Sequence, residues 1–288
     1  MTIKRKRCGL VLLLYLNRKF LNSRIYFRMK KRYLIIGFFS ILTLIVEMSC
    51  TKNELRSSPF DLVSGSALLK INYSCPYMAS SQGVMVKING MVYSSLITYS
   101  TPYPGGGLNT GGNSYADYLR VTPGIDTLSL LLPIPGTSIP DKVLYTTTFE
   151  VQSDRYQTIH VTDTATNIKY VMTNDLETRP DSGYVLYRFV NLIPNSQGID
   201  LYFDTAKINR KLLASNIGYL QQSDTFRLPA GTSLPWAIQM SGKDSVLATY
   251  STASSVANQR VFTVYARGYL GLKSTDTRSN KISFVYNK

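Results

Sequence analysis

The chain reads as an all-β protein built as two tandem β-sandwiches behind an N-terminal export leader. Three observations predict it. Short runs with strand periodicity recur along the exported part, clusters of Gly, Pro, Asn, Asp and Ser separate them, and one part of the pattern returns about 115 residues later. Composition agrees, since only 17% of the 288 residues are charged and the 21 Tyr favour strands over helices.

The leader comes first. A net charge of +15 suggests a nucleic-acid partner, but its distribution removes that reading. Residues 1–49 hold 11 of the 32 Lys and Arg and only Glu47 of the 17 acids, leaving 21 basic and 16 acidic residues scattered over 50–288. No nucleic-acid partner is expected. Residues 33–46 (YLIIGFFSILTLIV) are uncharged and apolar and follow Lys30, Lys31 and Arg32. A relaxed bilayer span needs about 20 residues, so the shorter run fits the apolar core of an export signal. Met29 opens a complete signal by itself, which makes 29–49 the signal peptide and 1–28 an upstream start-site extension, with Met1 and Met29 both open as the true start.

The signal ends in Met48-Ser49-Cys50. A small residue followed by cysteine at this place resembles the lipobox of bacterial lipoproteins, although Glu47 stands where the lipobox usually carries an aliphatic residue. The resemblance implies acylation of Cys50 and anchoring to the bacterial cell envelope, with the outer membrane as the expected address. The side faced stays open, because the acidic cluster that surface-exported lipoproteins of the Bacteroidota often carry is reduced here to Glu54 beside Lys52. Residues 50–62 read as a polar tether.

Beyond the tether, strands are predicted at 67–73 (ALLKINY), 84–88 (VMVKI), 143–151 (VLYTTTFEV), 184–190 (YVLYRFV), 199–203 (IDLYF) and 260–266 (RVFTVYA). Ser81-Gln82-Gly83 before VMVKING matches Ser196-Gln197-Gly198 before IDLYFDT. Downstream, Val143-Leu144 matches Val246-Leu247, and Ile159-His160-Val161 is aligned with Phe262-Thr263-Val264, both at an offset of 103. A longer loop in the first copy, 101–114 (TPYPGGGLNTGGNS), accounts for the change of offset. Two sandwiches are therefore expected, a divergent first copy over 63–176 and a second over 180–288.

The second copy resembles a bacterial family, the domain of unknown function 4397. The resemblance rests on Asp200-Leu201-Tyr202-Phe203-Asp204, on Gly218-Tyr219 and on Leu228-Pro229-Ala230-Gly231-Thr232, and it runs across 184–270. The first copy departs from it, with Met85 in place of Asp200 and Thr122-Pro123-Gly124 at the turn. The family implies an immunoglobulin-like sandwich on an exported, often lipid-anchored protein, and it brings no active site.

The residues themselves speak against chemistry. One histidine and three cysteines leave too few ligands for an all-protein zinc site or an iron–sulfur cluster, so no metal and no cofactor is expected. His160 and Cys75 form a dyad only if they meet in space, and their counterparts in the second copy, Thr263 and Leu192 or Ile193, are packing residues. Gly105–Gly107 with Gly111 and Gly112 lack the Lys-Ser/Thr of a phosphate-binding loop and read as a flexible loop. Tyr99, Tyr103 and Tyr115 around it make it a candidate ligand-contact loop. Trp236 is expected in the core. Asp117 with Asp126, or Asp200 with Asp204, could be drawn together as a hydrolytic pair, although loop carboxylates more often accept backbone N–H bonds. No catalytic residue is assigned. The expected function is a non-catalytic envelope lipoprotein that binds a partner protein or an extracellular glycan. A carbohydrate-active hydrolase with an unrecognised carboxylate pair is the alternative.

Overall fold

Each expected strand forms, because its apolar residues alternate with polar ones and find a second sheet to bury against. The structure, a computed structural model, describes residues 64–288 except 77–82, 135, 137–139, 165–166 and 205–209. The described residues fall within one compact unit, Phe60–Lys288. The leader, Cys50, the tether and Ser81-Gln82 lie outside them. The described residues are all-β, with a short 3-10 turn at Ala253–Val256.

The first sandwich comprises β1 (Ala67–Ser74), β2 (Met85–Ile88), β3 (Met91–Val92), β4 (Thr101–Tyr103), β6 (Leu119–Val121), β7 (Gly124–Leu132), β8 (Lys142–Val151), β9 (Tyr156–Thr162) and β10 (Lys169–Asn174). One sheet runs β10-β9-β1-β4, with β6 also on β1, and the other runs β3-β2-β7-β8. Leu69, Ile71, Val86, Leu128, Leu130, Ile159 and Val161 fill the space between them. The second sandwich comprises β11 (Tyr184–Asn191), β12 (Ile199–Phe203), β13 (Lys211–Ile217), β14 (Phe226–Pro229), β15 (Trp236–Met240), β16 (Val246–Tyr250), β17 (Val261–Arg267) and β18 (Lys281–Tyr286). Its sheets run β14-β11-β17-β18 and β13-β12-β15-β16. This core is aromatic: the buried Trp236 lies edge-on to Tyr187, Phe203 and Phe284, with centroids 5.0–5.2 Å apart.

Strand for strand the pairing repeats. β1 and β9 are parallel, as are β11 and β17, while β2–β7 and β12–β15 are antiparallel with matching registers. A bulge falls at Leu130/Leu131 in β7 and at Ile238/Gln239 in β15, which are the same place in the two copies. Gly124 and Gly231, which end the two Pro-containing turns, both take positive φ, +132° and +98°.

One predicted alignment needs correction. Leu68 pairs with Tyr156 and Leu186 with Val261, so β9 and β17 correspond at an offset of 105, not 103. β8 and β16 keep the offset of 103, with Tyr145 corresponding to Ala248, so the chain from Ala248 to β17 is two residues longer than the chain from Tyr145 to β9. The counterpart of His160 is therefore Tyr265 rather than Thr263, and that of Lys70 is Arg188.

The first-copy loop is also more structured than its composition suggests. Thr101–Tyr103 pairs with β1 as β4, and Gly107–Leu108 forms β5, which crosses to the second sandwich and pairs with β18. The loop is a strap. A Cβ on Gly107 would lie 1.5 Å from the Phe284 carbonyl oxygen, so only glycine permits this approach.

Candidate functional site

Several buried titratable side chains, Lys70, His160 and Asp175 among them, lie where the two inner sheets meet. Along β1 and β9 the residues facing away from the first core are Lys70, Asn72, Ser74, Thr158, His160 and Thr162, and all are 0% exposed. Opposite them lie the outward residues of β11, β17 and β18, including Val190, Leu192, Tyr265 and Val285, which form their own apolar cluster. The rings of His160 and its counterpart Tyr265 lie 6.1 Å apart. Lys70 Nζ donates to the Tyr286 carbonyl, and Arg188 Nη1 donates to the Asn174 carbonyl at 2.5 Å. Tyr286 and Asn174 are also register counterparts. Equivalent residues therefore make equivalent bonds in both directions, as in an isologous two-fold interface built within one chain. Tyr219 donates to Asp163 Oδ2 at 3.0 Å, while its counterpart Tyr99 lies under the Arg267 guanidinium, 5.1 Å from ring centre to carbon.

Asp175 is the hub of this seam. Its Oδ2 accepts from Tyr118 at 2.7 Å and from Thr158 at 2.5 Å, and its Oδ1 accepts from Thr173 at 3.0 Å. Burial raises its pKa above the usual carboxylate value, against the Lys70 charge and these three bonds. Lys70 Nζ sits 4.2 Å over the Tyr118 ring, and burial lowers its pKa to about 8 despite Asp175 and Asp117. Burial also pushes His160 down to about 3, with Lys70 adding to the effect. The imidazole is neutral.

Its tautomer follows from its neighbours. Asn72 Oδ1 accepts the Ser74 hydroxyl, so Asn72 Nδ2 donates to His160 Nδ1 at 2.9 Å. His160 Nε2 then carries the proton and donates to Thr173 Oγ1 at 3.2 Å, and Thr173 donates to Asp175. In a nucleophilic triad the ring nitrogen facing the hydroxyl must accept its proton. Here it donates, so the ring does not take the Thr173 proton, and both side chains are buried.

The other predicted residues scatter. Cys75 packs in the first core while His160 faces the seam, so the two lie on opposite faces of one sheet, and burial raises the thiol pKa. Tyr99, Tyr103 and Tyr115 do not form one platform. Tyr99 and Tyr103 are half-buried, the latter donating to the Tyr93 carbonyl at 2.7 Å, and Tyr115 alone of the three is exposed, at 67%. Asp200 accepts the Asn216 N–H at 2.7 Å and so closes the irregular β12–β13 pairing. Asp126 is buried and accepts from Asn89 at 2.7 Å. Lys70 and Asp175, the centre of the seam, were not singled out from the sequence. The available signal was a lysine set in the largely apolar strand ALLKINY.

Comparison with known proteins adds one family. The sequence model of "Domain of unknown function (DUF4397)" matches residues 108–202, about a third of the chain. That span overlaps the 184–270 expected from motif residues only over 184–202. It takes in β6–β12, one counterpart of every strand class except those of β3 and β4. Among curated proteins there is no match. Solved structures with distant similarity include a leucine-rich repeat protein from Bacteroides thetaiotaomicron, at 14% identity and TM-score 0.17 over 73% of this chain and 26% of that one. CBMbc (family CBM26) of Amy13K from Eubacterium rectale, in complex with maltoheptaose, gives 12% and 0.23 over 75% and 95%. A fimbrial assembly protein from Parabacteroides distasonis gives 13% and 0.18 over 77% and 100%. The chain thus spans about a quarter of the first of these, and TM-scores this low carry no argument about fold or partner. What the comparisons support is the family resemblance: residues 108–202 are similar to the DUF4397 domain.

Proposed function

We propose that the chain is a non-catalytic lipoprotein of the bacterial cell envelope, anchored through acylated Cys50, whose two immunoglobulin-like units (63–176 and 180–288) form a binding or structural module for a partner protein or an extracellular glycan. One observation carries the reading. The described side chains best equipped for chemistry, Lys70, Cys75, His160 and Asp175, are all buried and held by packing or hydrogen bonds. The polar groups left at the surface lie on loops and strand edges, where sandwiches meet partners.

Two measurements test it. In cells, the wild-type chain should incorporate labelled palmitate and sediment with membranes, and Cys50→Ala should do neither; a membrane-bound Cys50→Ala chain would overturn the anchor. The purified chain should leave a panel of polysaccharides intact, and release of reducing ends would overturn the non-catalytic reading.

A further inference from the structure

The internal two-fold is broken at the strap. In the second sandwich the outer edge of β18 is covered: Leu108 pairs with Phe284 and Gly107 with Val285, Tyr286 N–H donates to the Gly106 carbonyl at 3.1 Å, and Asn109 Nδ2 donates to the Ile282 carbonyl at 2.7 Å. The counterpart of β18 is β10, with Tyr170, Met172 and Asn174 standing for Ile282, Phe284 and Tyr286. β10 pairs with β9 alone among the described residues. Asp175 N–H donates to the Tyr156 carbonyl, and the alternation of an antiparallel ladder then turns the N–H and C=O of Tyr170, Met172 and Asn174 away from β9. Of these groups the Asn174 carbonyl accepts Arg188, just as the Tyr286 carbonyl accepts Lys70. Among the described residues no second strand pairs with the rest, which form an open strand edge with Met172 half-buried beside it.

We infer that the β10 edge receives an added antiparallel strand from a partner polypeptide, of the chemistry that the strap presents to β18: Gly-Gly, then an apolar residue, then a side-chain amide. The inference deepens the binding-module reading and rests on it, choosing a protein partner over a glycan. The second sandwich cannot supply the strand as the first does, because its link from Gln222 to Phe226 lacks the residues that make the strap. In the register of β18, the apolar residue falls opposite Met172 and covers it. A glycine falls opposite Thr173, where close approach excludes a Cβ, and the preceding carbonyl accepts Asn174 N–H. Main-chain bonds supply the attachment and the glycine supplies the selection.

The test uses the full chain and a synthetic peptide of residues 103–110 (YPGGGLNT), read by residue-resolved hydrogen exchange. Saturable slowing at the amides of Met172 and Asn174, about tenfold or more, is expected. The peptide carrying Gly107→Val, or N-methylated at Leu108, should bind at least about tenfold more weakly. In the protein, Met172→Pro removes the edge N–H and should abolish the effect; the two altered peptides decide the matter if that variant fails to fold. No slowing at millimolar peptide overturns the inference while leaving the lipoprotein reading intact. Protection of the same amides without peptide that grows with chain concentration also overturns it, since the occupant is then a second copy.

Discussion

The two sandwiches share one frame and differ in what they place on it. Where the first carries Lys70, Cys75 and His160, the second carries Arg188, Ile193 and Tyr265; where the second core holds Trp236, the first holds Leu128. The seam accepts either set. A lysine and an arginine reach the matching carbonyls across it, and a histidine ring lies tilted beside a tyrosine that occupies its own position in the other copy. Residues that look reactive in one copy therefore serve the same packing positions as unreactive residues in the other.

Breaking each side of the comparison gives effects of decreasing size. Trp236→Ala, at the centre of the aromatic core, should cost about 3–5 kcal/mol in denaturant unfolding, whereas Leu128→Ala should cost about 2–5. Equal and small losses would show that the aromatic cluster does not organise the second core. Lys70→Ala empties a fully buried site and removes the bond to the Tyr286 carbonyl, and should cost about 2–5 kcal/mol. Its counterpart Arg188→Ala removes a half-buried charged hydrogen bond and should cost about 1.5–3. The order Lys70 over Arg188 is the checkable part.

Next comes a pH dependence that belongs to the first copy alone. His160 is held neutral with its pKa near 3, while an unfolded histidine takes up its proton near 6.5. The unfolded chain therefore binds more protons between these values. The contribution is fully present above pH 6.5 and is lost on acidification toward pH 3, at about 1.4 kcal/mol per pH unit. Lys70, lowered to about 8, acts in the same direction at alkaline pH, so stability should rise between about pH 8 and 10.5. Comparing unfolding of wild type and His160→Gln from pH 3.5 to 7 isolates the histidine, and parallel profiles would contradict its buried neutral state. Smallest of all, Tyr115→Ala should change stability by less than about 0.5 kcal/mol. That makes it a clean probe of ligand contact by the strap, read as lost partner or glycan binding at unchanged melting temperature.

The strands with strong alternation were legible in the sequence to within a residue or two, as ALLKINY and IDLYF show against β1 and β12. The duplication was legible through Gly83 and Gly198, which precede matching strands. The two-residue slip at His160 was not, because Ile159-His160-Val161 and Phe262-Thr263-Val264 have the same alternation and only the pairing with β1 and β11 sets the register. The strap was hidden for a related reason. Its glycines carry no periodicity, and its partner β18 lies far along the chain. The seam was hidden because a sheet with both faces covered places polar residues where a solvent-facing row is expected. Lys70 was the one residue that marked it.

Central to all of this is a seam that joins the two sandwiches and buries Lys70, His160 and Asp175. Scanning calorimetry of the purified chain tests it most directly. A single unfolding transition with equal calorimetric and van't Hoff enthalpies is predicted. Two separable transitions, one for each sandwich, would contradict it.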